Sequence, residues 1–323
     1  MLYVLVFERR IMASTTLPPK TARRWRFRNL KNGLNWIYLL PALFFFLAYM
    51  LYPLIQVFYI SFTDYHYLRN EPTNFIGLQN FADAVADPIF LVGLWRAFVF
   101  TLIFLPGVIF IPLFIAILVD RVQNPKLSTI YRVILLIPIA IPGPMIFVLW
   151  RWMYDFQIGP INVILIDHLH LFDPRNAPQW VGDSPLSLPA IAFMEWWWGL
   201  GYHTMFFLAG LAAVPKDFFE AARVDGANEW QMFWHVTLPR LRPIFVILVV
   251  LRFGTSMAVI DEFLIMGGLN RALPTYTWTV YMWHLSFQLG DWFQGYAAAI
   301  GWLGAAAMLV IVAGLFYIFR NQD

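Results

Sequence analysis

The chain has 323 residues, of which 60% are hydrophobic, 19% are aromatic and only 13% are charged. Soluble domains carry about 25% charged residues, so this chain has too little polar surface to be covered by water, and lipid is expected to cover much of it. The net charge is only +3, and the absence of cysteine excludes disulfides, thiolate catalysis and cysteine-based metal sites.

Residues 1–34 are predicted to be a basic cytoplasmic leader ahead of a single transmembrane domain over residues 35–320. The opening stretch MLYVLVF is too short for a signal-peptide core and has no basic region before it. We therefore expect residues 1–11 to be a mis-assigned start, with a short surface helix as the alternative. The basic run 20–31 lies beside the first apolar stretch, which favours contact with anionic lipid over nucleic acid.

Six apolar stretches are long enough to cross a bilayer, which takes about 20 residues. They cover residues 36–62, 98–119, 130–150, 188–214, 244–268 and 296–319. Prolines inside the second and third stretches predict kinks, whose freed carbonyls need partners in neighbouring helices. These prolines are Pro106, Pro112, Pro138, Pro142 and Pro144. The prediction is an all-α integral membrane protein built as a six-helix bundle.

The distribution of lysine and arginine predicts the orientation of these spans. Sixteen of the 22 basic residues fall on the side of the leader, five fall on the other side, and Arg252 lies within a span. Because cytoplasmic loops carry an excess of basic residues, both termini are predicted to be cytoplasmic. Segments 63–97, 151–187 and 269–295 are then outside.

Two short helices, 215–225 and 228–237, are predicted in the cytoplasmic loop before the fifth span. Gly226 supplies the left-handed residue that commonly closes a helix. Asn228 is positioned to cap the second helix, and Gln231 three positions later completes a capping-box pattern. The loop should therefore turn a sharp corner at this glycine.

The second loop helix is predicted to end at Leu238-Pro239 and to carry an aromatic edge. Trp230, Phe233 and Trp234 have the spacing of one helix face. One interpretation is an amphipathic helix resting in the lipid interface. The other is a docking surface for a cytoplasmic protein, and periodicity alone does not separate the two.

The exact residues of this loop carry more information than their periodicity. The stretch EAARVDGANEWQMFWHVTLPRLRP resembles the signature loop of permease subunits in binding-protein-dependent ABC importers, which reads E-A-A, two residues, D-G-A, an aromatic, then L-P. The matching residues are Glu220, Ala221, Ala222, Asp225, Gly226, Ala227, Phe233, Leu238, Pro239 and Pro243. The resemblance implies a type I importer permease fold, in which this loop, here including Trp230, contains a coupling helix that sits in a cleft of the ATPase subunit.

The resemblance extends over residues 35–319. The stretches LPALFFFLAYMLYPLIQVFYISF, NFIGLQNF, GPIN, LAGLAAVP and MGG follow one another in family order. They point to the carbohydrate-uptake branch and to the maltose/glycerol-phosphate type of first permease subunit. Leu269 stands where the family usually has proline, and Arg96-Ala97 replaces a common Asn-Thr, which weakens any assignment of the exact sugar.

The resemblance implies a subunit that forms half of the path for a sugar, either a mono- or oligosaccharide or a related polyol or glycerol phosphate. The implied partners are a second permease, two copies of a cytoplasmic ATP-binding subunit and an external solute-binding protein, in a bacterial or archaeal plasma membrane. No Walker-type phosphate loop, nucleophile elbow or Rossmann glycine pattern occurs in the sequence. No catalytic site, cofactor or metal is therefore expected, and a partner must hydrolyse ATP.

An ion-driven secondary transporter is the alternative function. Such transporters often consist of repeated halves with interrupted helices and carboxylates at the midplane. The sequence shows no convincing half-to-half repeat, which favours the ABC importer.

Four residues are candidates to line the translocation path: Glu195, Trp198, Asp261 and Glu262. A charge at membrane depth costs at least ~2.5–3.5 kcal/mol, so it usually faces the bundle or a wet cavity. Carboxylates beside aromatic rings suit a sugar, because its hydroxyls need acceptors and its C–H faces stack on rings. Two alternatives stay open: Trp196–Trp198 form an interfacial aromatic belt, or Asp261 and Glu262 are paired, with a partner on another helix favoured over Arg252 of the same span.

Overall fold

The computed structural model describes residues 38–68, 72–288 and 293–320. The predicted leader, with residues 1–11 and the basic run, lies outside the described residues. The boundary between two compact units of the chain falls between Ile55 and Gln56. The single domain over residues 35–320 therefore stays a prediction.

All regular elements among the described residues are helical, apart from one antiparallel bridge between Thr63 and Phe75. The predicted all-α class is thereby confirmed. The helices are α1 Leu40–Ile60, α2 Gln79–Ala86, α3 Pro88–Asp120, α4 Pro125–Leu136, α5 Gly143–Met153, α6 Pro160–Val163, α7 Ser187–Ala212, α8 Lys216–Val224, α9 Glu229–Met257, α10 Asp261–Gly267, α11 Trp278–Phe287 and α12 Gln294–Arg320.

Three helices in the described part of the chain, α1, α3 and α12, are long and apolar enough to cross a membrane by length and composition. The pair α9 and α10 makes a fourth if the two are one bent span. The predicted count of six spans is not established by this criterion and stays a prediction. The helix α7 is also long, at 26 residues, and it covers the predicted fourth span almost completely.

The predicted third span, 130–150, is broken rather than kinked. Helix α4 ends at Leu136, and α5 begins only at Gly143, with a short 3₁₀ turn between them. Ile141 is extended, with φ −84° and ψ 130°, because the ring of the following Pro142 excludes it from the helical region. Several prolines in close succession therefore end one helix before the next begins.

The prediction that Leu238-Pro239 ends the second loop helix is wrong. Helix α9 runs without interruption from the loop into the membrane region. Residues Phe233–Thr237 form a π turn, in which the Leu238 N–H donates to the Phe233 carbonyl. A proline ring clashes with the carbonyl four residues earlier in a regular α-helix. The wider π turn immediately before Pro239 makes room for that ring.

The predicted fifth span, 244–268, is a bent pair of helices. Helix α9 ends at Met257, and α10 starts at Asp261 with its axis turned by 47°. Two carboxylates, Asp261 and Glu262, thus occupy the first turn of a new helix. The positive end of the helix dipole favours negative charge at that position.

Helices α3 and α7 form the centre of the core and pack along each other. A notch at Gly107 of α3 receives the ring of Trp196, which a side chain at that position would strike. The Trp196 Nε1–H donates to the Phe104 carbonyl at 2.8 Å. Large side chains around this contact are buried, among them Phe100, Ile191, Met194, Phe207 and Phe263. The core thereby fixes the face of α7 that carries Glu195.

Candidate functional site

The corner of the loop between α8 and α9 has the predicted geometry. Gly226 follows α8 with φ +80°, in the left-handed region that glycine adopts at no steric cost. The Ala227 N–H donates to the Ala222 carbonyl at 2.9 Å, which closes the last turn of α8. A Cβ at Gly226 would meet no atom within 4 Å, so the requirement for glycine comes from the backbone angle alone.

The predicted capping box is also present. The Asn228 Oδ1 accepts from the Gln231 N–H, and the Gln231 Oε1 accepts from the Asn228 N–H, both at 2.8 Å. These two bonds satisfy N–H groups that the first turn of a helix leaves without partners. Helix α9 therefore starts at a defined residue, Glu229, directly after the corner.

The loop exposes a large apolar surface. Val224 is 87% exposed, Trp230 68% and Trp234 47%. The rings of Trp230, Phe233 and Trp234 lie 5.3 to 5.9 Å apart by their centroids. We call these three rings the aromatic edge. Beside it, a hollow of about 270 Å³ opens at the corner.

The residues that match the permease signature lie around that corner and along α8 and α9. Glu220, Ala221, Asp225, Gly226, Trp230 and Pro239 are exposed, whereas Ala222, Ala227, Phe233 and Leu238 are half-buried. Ala222 and Ala227 line the hollow together with Asp225 and Gly226. Their small side chains leave the space that a partner's side chain would need.

Two contacts that the sequence did not reveal hold the loop to the bundle. The Arg240 guanidinium lies 3.4 Å from the centroid of the Phe218 ring and so ties α8 to α9. Arg121, at the end of α3, donates to the Glu229 carboxylate at 2.8 Å. No local pattern signals either pair, because the partners are far apart in the sequence.

Replacing Arg240 with alanine is expected to loosen α8 without unfolding the bundle. A cation–π contact at an exposed site contributes about 0.5–1 kcal/mol, so opening of α8 should rise about twofold to fivefold. Hydrogen exchange of residues 216–224 in the assembled protein measures this. Arg240→Lys keeps a cation and should show a smaller rise, and equal exchange in all three proteins would contradict the contact's role.

A second group of polar side chains lies inside the bundle, and we call it the carboxyl cluster: Glu195, Glu262, Arg252 and His203. The carboxyl groups of Glu195 on α7 and Glu262 on α10 lie against each other. Arg252 of α9 interacts electrostatically with Glu195. Its Nε–H donates to His203 Nε2 at 2.6 Å. Three helices therefore converge on this cluster.

Two polar atoms of the cluster have no hydrogen-bond partner within the described residues. They are Glu195 Oε1 and His203 Nδ1, and both are buried. A buried polar atom without a partner costs about 1–3 kcal/mol. Such atoms indicate a place where a solute or water supplies the missing bonds.

The other two candidates for the path lie near the cluster but face different surroundings. Asp261 is exposed. Trp198, one turn beyond Glu195, is half-buried, with its ring edge-on to Phe147 at 5.6 Å between centroids. Its Nε1–H donates to the Ile141 carbonyl at 3.3 Å, at the break between α4 and α5.

The structure does not place all three neighbouring tryptophans in an aromatic belt. Trp196 and Trp198 are half-buried against α3 and α5, and only Trp197 of the three is more than one-third exposed, at 38%. Glu262 lies against the carboxyl group of Glu195 on another helix and not against an oppositely charged group. An ion-pair partner for Asp261 or Glu262 on another helix therefore stays a prediction.

His203 and Arg252 are the two cluster residues that sequence reasoning left out of the candidates for the path. His203 follows Glu195 by eight residues, which brings it back to the same helix face. The Arg252 guanidinium also lies 5.6 Å from the centroid of the Tyr202 ring. Arg252 and Tyr202 together line a cavity of about 340 Å³. The cluster can accept and donate hydrogen bonds to a polar solute. Within the described residues, no group of three or more His, Asp or Glu side chains could hold a metal ion.

Comparison with known proteins assigns the chain to a family. Residues 90–323 match the model of the family described as "Binding-protein-dependent transport system inner membrane component". The chain belongs to this family. It is a multi-pass membrane permease of an ABC transport system, as the loop motif indicated.

Two similar relatives are permeases of bacterial uptake systems. The chain is 29% identical to the sulfoquinovosyl glycerol transport system permease protein SmoG of Agrobacterium fabrum, over 94% of this chain and 96% of the relative. It is 28% identical to the arabinooligosaccharides transport system permease protein AraP of Bacillus subtilis, over 91% of each chain. The permease is thus similar to these proteins over nearly its full length.

A solved structure confirms the type I importer fold. A subunit of a bacterial ABC transporter involved in the import of the acidic polysaccharide alginate superposes with a TM-score of 0.77, at 22% identity, over 91% of this chain and 97% of that one. A second structure of the alginate transporter, in complex with a periplasmic protein bound to an alginate pentasaccharide, gives the same TM-score. At this identity the likeness establishes the fold of the permease and nothing finer.

Proposed function

We propose that the permease is the transmembrane subunit of an ATP-driven importer of sugars and forms half of the translocation path. The names of the relatives support a carbohydrate substrate, since both sulfoquinovosyl glycerol and arabinooligosaccharides contain sugars. The carboxyl cluster also supports it, because its buried polar groups suit the hydroxyls of a sugar.

The cytoplasmic loop is proposed to dock on an ATP-binding subunit. The observation that carries this proposal is the exposed aromatic edge beside the hollow at Gly226, in a loop that bears the family motif. A partner's cleft would bury Trp230 and Trp234, and its side chains would enter the hollow next to Ala222 and Ala227. Aromatic anchors of this kind dominate protein–protein binding energies.

One continuous helix, α9, connects the loop to the carboxyl cluster. Helix α9 begins at Glu229 beside the docking surface and continues to Arg252, about 35 Å away at 1.5 Å per residue. Closure of the ATPases on ATP would move the loop, and α9 would carry the motion to Arg252. The bend after Met257 then lets α10 and Glu262 move separately from α9. The permease contributes no covalent chemistry, and its partner hydrolyses the ATP.

The complete importer is proposed to contain a second permease, two copies of the ATP-binding subunit and an external solute-binding protein, in a plasma membrane. The alginate transporter, solved with a periplasmic protein, supports the external partner. Membrane lipid covers the exposed apolar side chains of α1 and α12.

Both termini are proposed to be cytoplasmic, because sixteen of the 22 basic residues lie on that side. Single cysteines at positions 170 and 230 of this cysteine-free chain test the topology. A membrane-impermeant maleimide added to intact cells should label position 170 and leave position 230 unlabelled until the cells are opened. Labelling of 230 but not 170 in intact cells would reverse the orientation.

Sugar uptake by the reconstituted importer tests the function against the ion-driven alternative. With the solute-binding protein outside, uptake into vesicles should require ATP on the cytoplasmic side and should persist when ionophores dissipate all ion gradients. Uptake that follows an ion gradient without ATP would contradict the proposal.

A further inference from the structure

A polar cavity of about 450 Å³ lies on the face that the basic-residue pattern places outside. It is bounded by the end of α5, the segment 179–183 and the end of α10. Its lining includes Arg151, Asp155, Gln179, Trp180, Asp183 and Gly267. The complete lining combines three aromatic residues, Tyr154, Phe156 and Trp180, with several planar polar side chains, and it takes no part in the docking loop or the carboxyl cluster.

The aromatic wall of the cavity is held in place before any ligand arrives. The Trp180 Nε1–H donates to Asn162 Oδ1 at 2.7 Å. Asn162 is itself fixed, because its Nδ2 donates to the Pro178 carbonyl at 3.0 Å. The Tyr154 ring lies 5.9 Å from the Trp180 ring by centroids, and the Tyr154 hydroxyl donates to the Ala190 carbonyl at 2.8 Å. A preorganised ring loses little entropy on binding, and its face suits the C–H face of a pyranose or furanose.

One carboxylate of the cavity is fixed as a hydrogen-bond acceptor. The Asp155 Oδ1 accepts from the N–H groups of Gln157 at 2.9 Å and Ile158 at 3.0 Å. These bonds to the charged form lower the pKa of Asp155. Both bonds use Oδ1, so Oδ2 remains to accept from a hydroxyl. Gln179 and Asp183 are exposed and add an amide and a second carboxylate.

The formal charges of the cavity disfavour an acidic ligand. Asp155 and Asp183 supply two negative charges, and Arg151 supplies one positive charge while its Nη1 donates to the Ile265 carbonyl at 2.8 Å. A carboxylate or sulfonate on the sugar would therefore meet net negative potential in this cavity.

Helix α10 joins the cavity to the carboxyl cluster. Gly267, at the end of α10, lines the cavity, and Glu262, in its first turn, belongs to the cluster. Five residues of α-helix span about 8 Å. The cavity and the cluster therefore lie at the two ends of one short helix.

We propose that this cavity is an outer subsite that selects uncharged saccharides before they reach the carboxyl cluster. The proposal rests on the proposed function, because it assumes that the permease imports a sugar. It adds the substrate class: a neutral oligosaccharide, stacked on Trp180 and hydrogen-bonded to Asp155, Gln179 and Asp183.

Protection of a single cysteine tests the subsite directly. The variant Gln179→Cys, in the assembled transporter without solute-binding protein, is labelled by a membrane-impermeant maleimide with and without sugar. The probes are neutral arabinotriose, neutral maltotriose and an acidic alginate trisaccharide. A neutral probe at ten times its dissociation constant should slow labelling about tenfold, since labelling follows the unoccupied fraction. The acidic probe should leave the rate unchanged.

Two further variants test where the probe binds and how its charge matters. Asp173→Cys lies in the same external segment but does not line the cavity, and its labelling should not respond to any probe. Adding Asp183→Arg to Gln179→Cys should let the acidic trisaccharide slow labelling. Unchanged labelling at 179 with both neutral probes, or equal protection by neutral and acidic probes without the arginine, would overturn the subsite.

The outcomes separate this proposal from the proposed function. ATP-driven sugar uptake with no protection at position 179 would remove the outer subsite and leave the importer intact. Absence of ATP-driven uptake for any sugar delivered by the solute-binding protein would instead overturn the proposed function.

Discussion

A valine in place of Gly226 is expected to leave the protein in the membrane and to remove its ATP-binding subunit, or to uncouple ATP hydrolysis from uptake. Gly226 has φ +80°, where an ordinary side chain costs about 1–2 kcal/mol and a β-branched one more. No atom lies within 4 Å of the added Cβ, so the bundle itself is not disturbed. Moving α8 against α9 would relieve the strain and would displace Trp230 and Trp234 from the proposed cleft of the ATP-binding subunit.

Gly314→Val is the matched control for this variant. A Cβ at Gly314 also meets no atom within 4 Å, but its φ is not in the left-handed region. The two variants therefore differ in backbone strain and not in steric room. Membrane content of the chain and the amount of ATP-binding subunit that a tagged chain retains are the two measurements. Full retention and normal uptake in the Gly226→Val protein would refute docking and favour the lipid-interface helix.

Replacing Glu195 with alanine is expected to destabilise the bundle and to abolish most uptake. Arg252 would lose its electrostatic interaction with Glu195 and would keep the bond to His203 at 2.6 Å and the contact with the Tyr202 ring. The charge of Arg252 would then be less compensated in a partly buried site, which destabilises the bundle. The midpoint of thermal unfolding of the assembled transporter should fall by several degrees.

The double variant Glu195→Ala with Arg252→Met separates stability from transport. Removing both charges should restore most of the unfolding midpoint, while uptake stays low because the polar cluster is gone. Asp261→Ala is the control, since Asp261 adjoins Glu262 in the sequence but is exposed. Asp261→Ala should leave both the unfolding midpoint and the sugar uptake nearly unchanged. Unchanged stability and uptake in Glu195→Ala would show that the path does not use this cluster.

Local signals predicted the corner of the cytoplasmic loop correctly. Gly226, Asn228 and Gln231 determine the left-handed turn and the capping box through contacts within a few residues. The family motif depends on the same short stretch. The turn and the capping box join residues only a few positions apart. The sequence pattern therefore predicts them without knowledge of tertiary packing or of a partner.

The prolines predicted a disturbance in the third span but not its form, and α3 runs through Pro106 and Pro112 without a break. The prolines around residue 140 break the third predicted span completely, because several of them act in succession. Pro239, by contrast, does not end α9, because a π turn at Phe233–Thr237 accommodates its ring. Whether a helix breaks or adjusts depends on the packing around it, which periodicity does not report.

The carboxyl cluster shows the limit of sequence reasoning. The cost of a buried charge predicted that Glu195 and Glu262 need polar surroundings, but not that they meet each other. That pairing depends on how α7, α9 and α10 pack, and on the bend after Met257. The Arg240–Phe218 contact and the outer cavity likewise arise from segments that are distant in the chain.

Native mass spectrometry of the tagged chain, extracted with its partners, can weigh the proposed importer as one assembly. The expected complex has the mass of this chain, one second permease and two ATP-binding subunits, and it should lose the ATP-binding subunits in the Gly226→Val protein but not in Gly314→Val. Extraction of the intact chain with no ATP-binding subunit, while its loop remains open to labelling at position 230 in opened cells, would refute docking on an ATP-binding subunit.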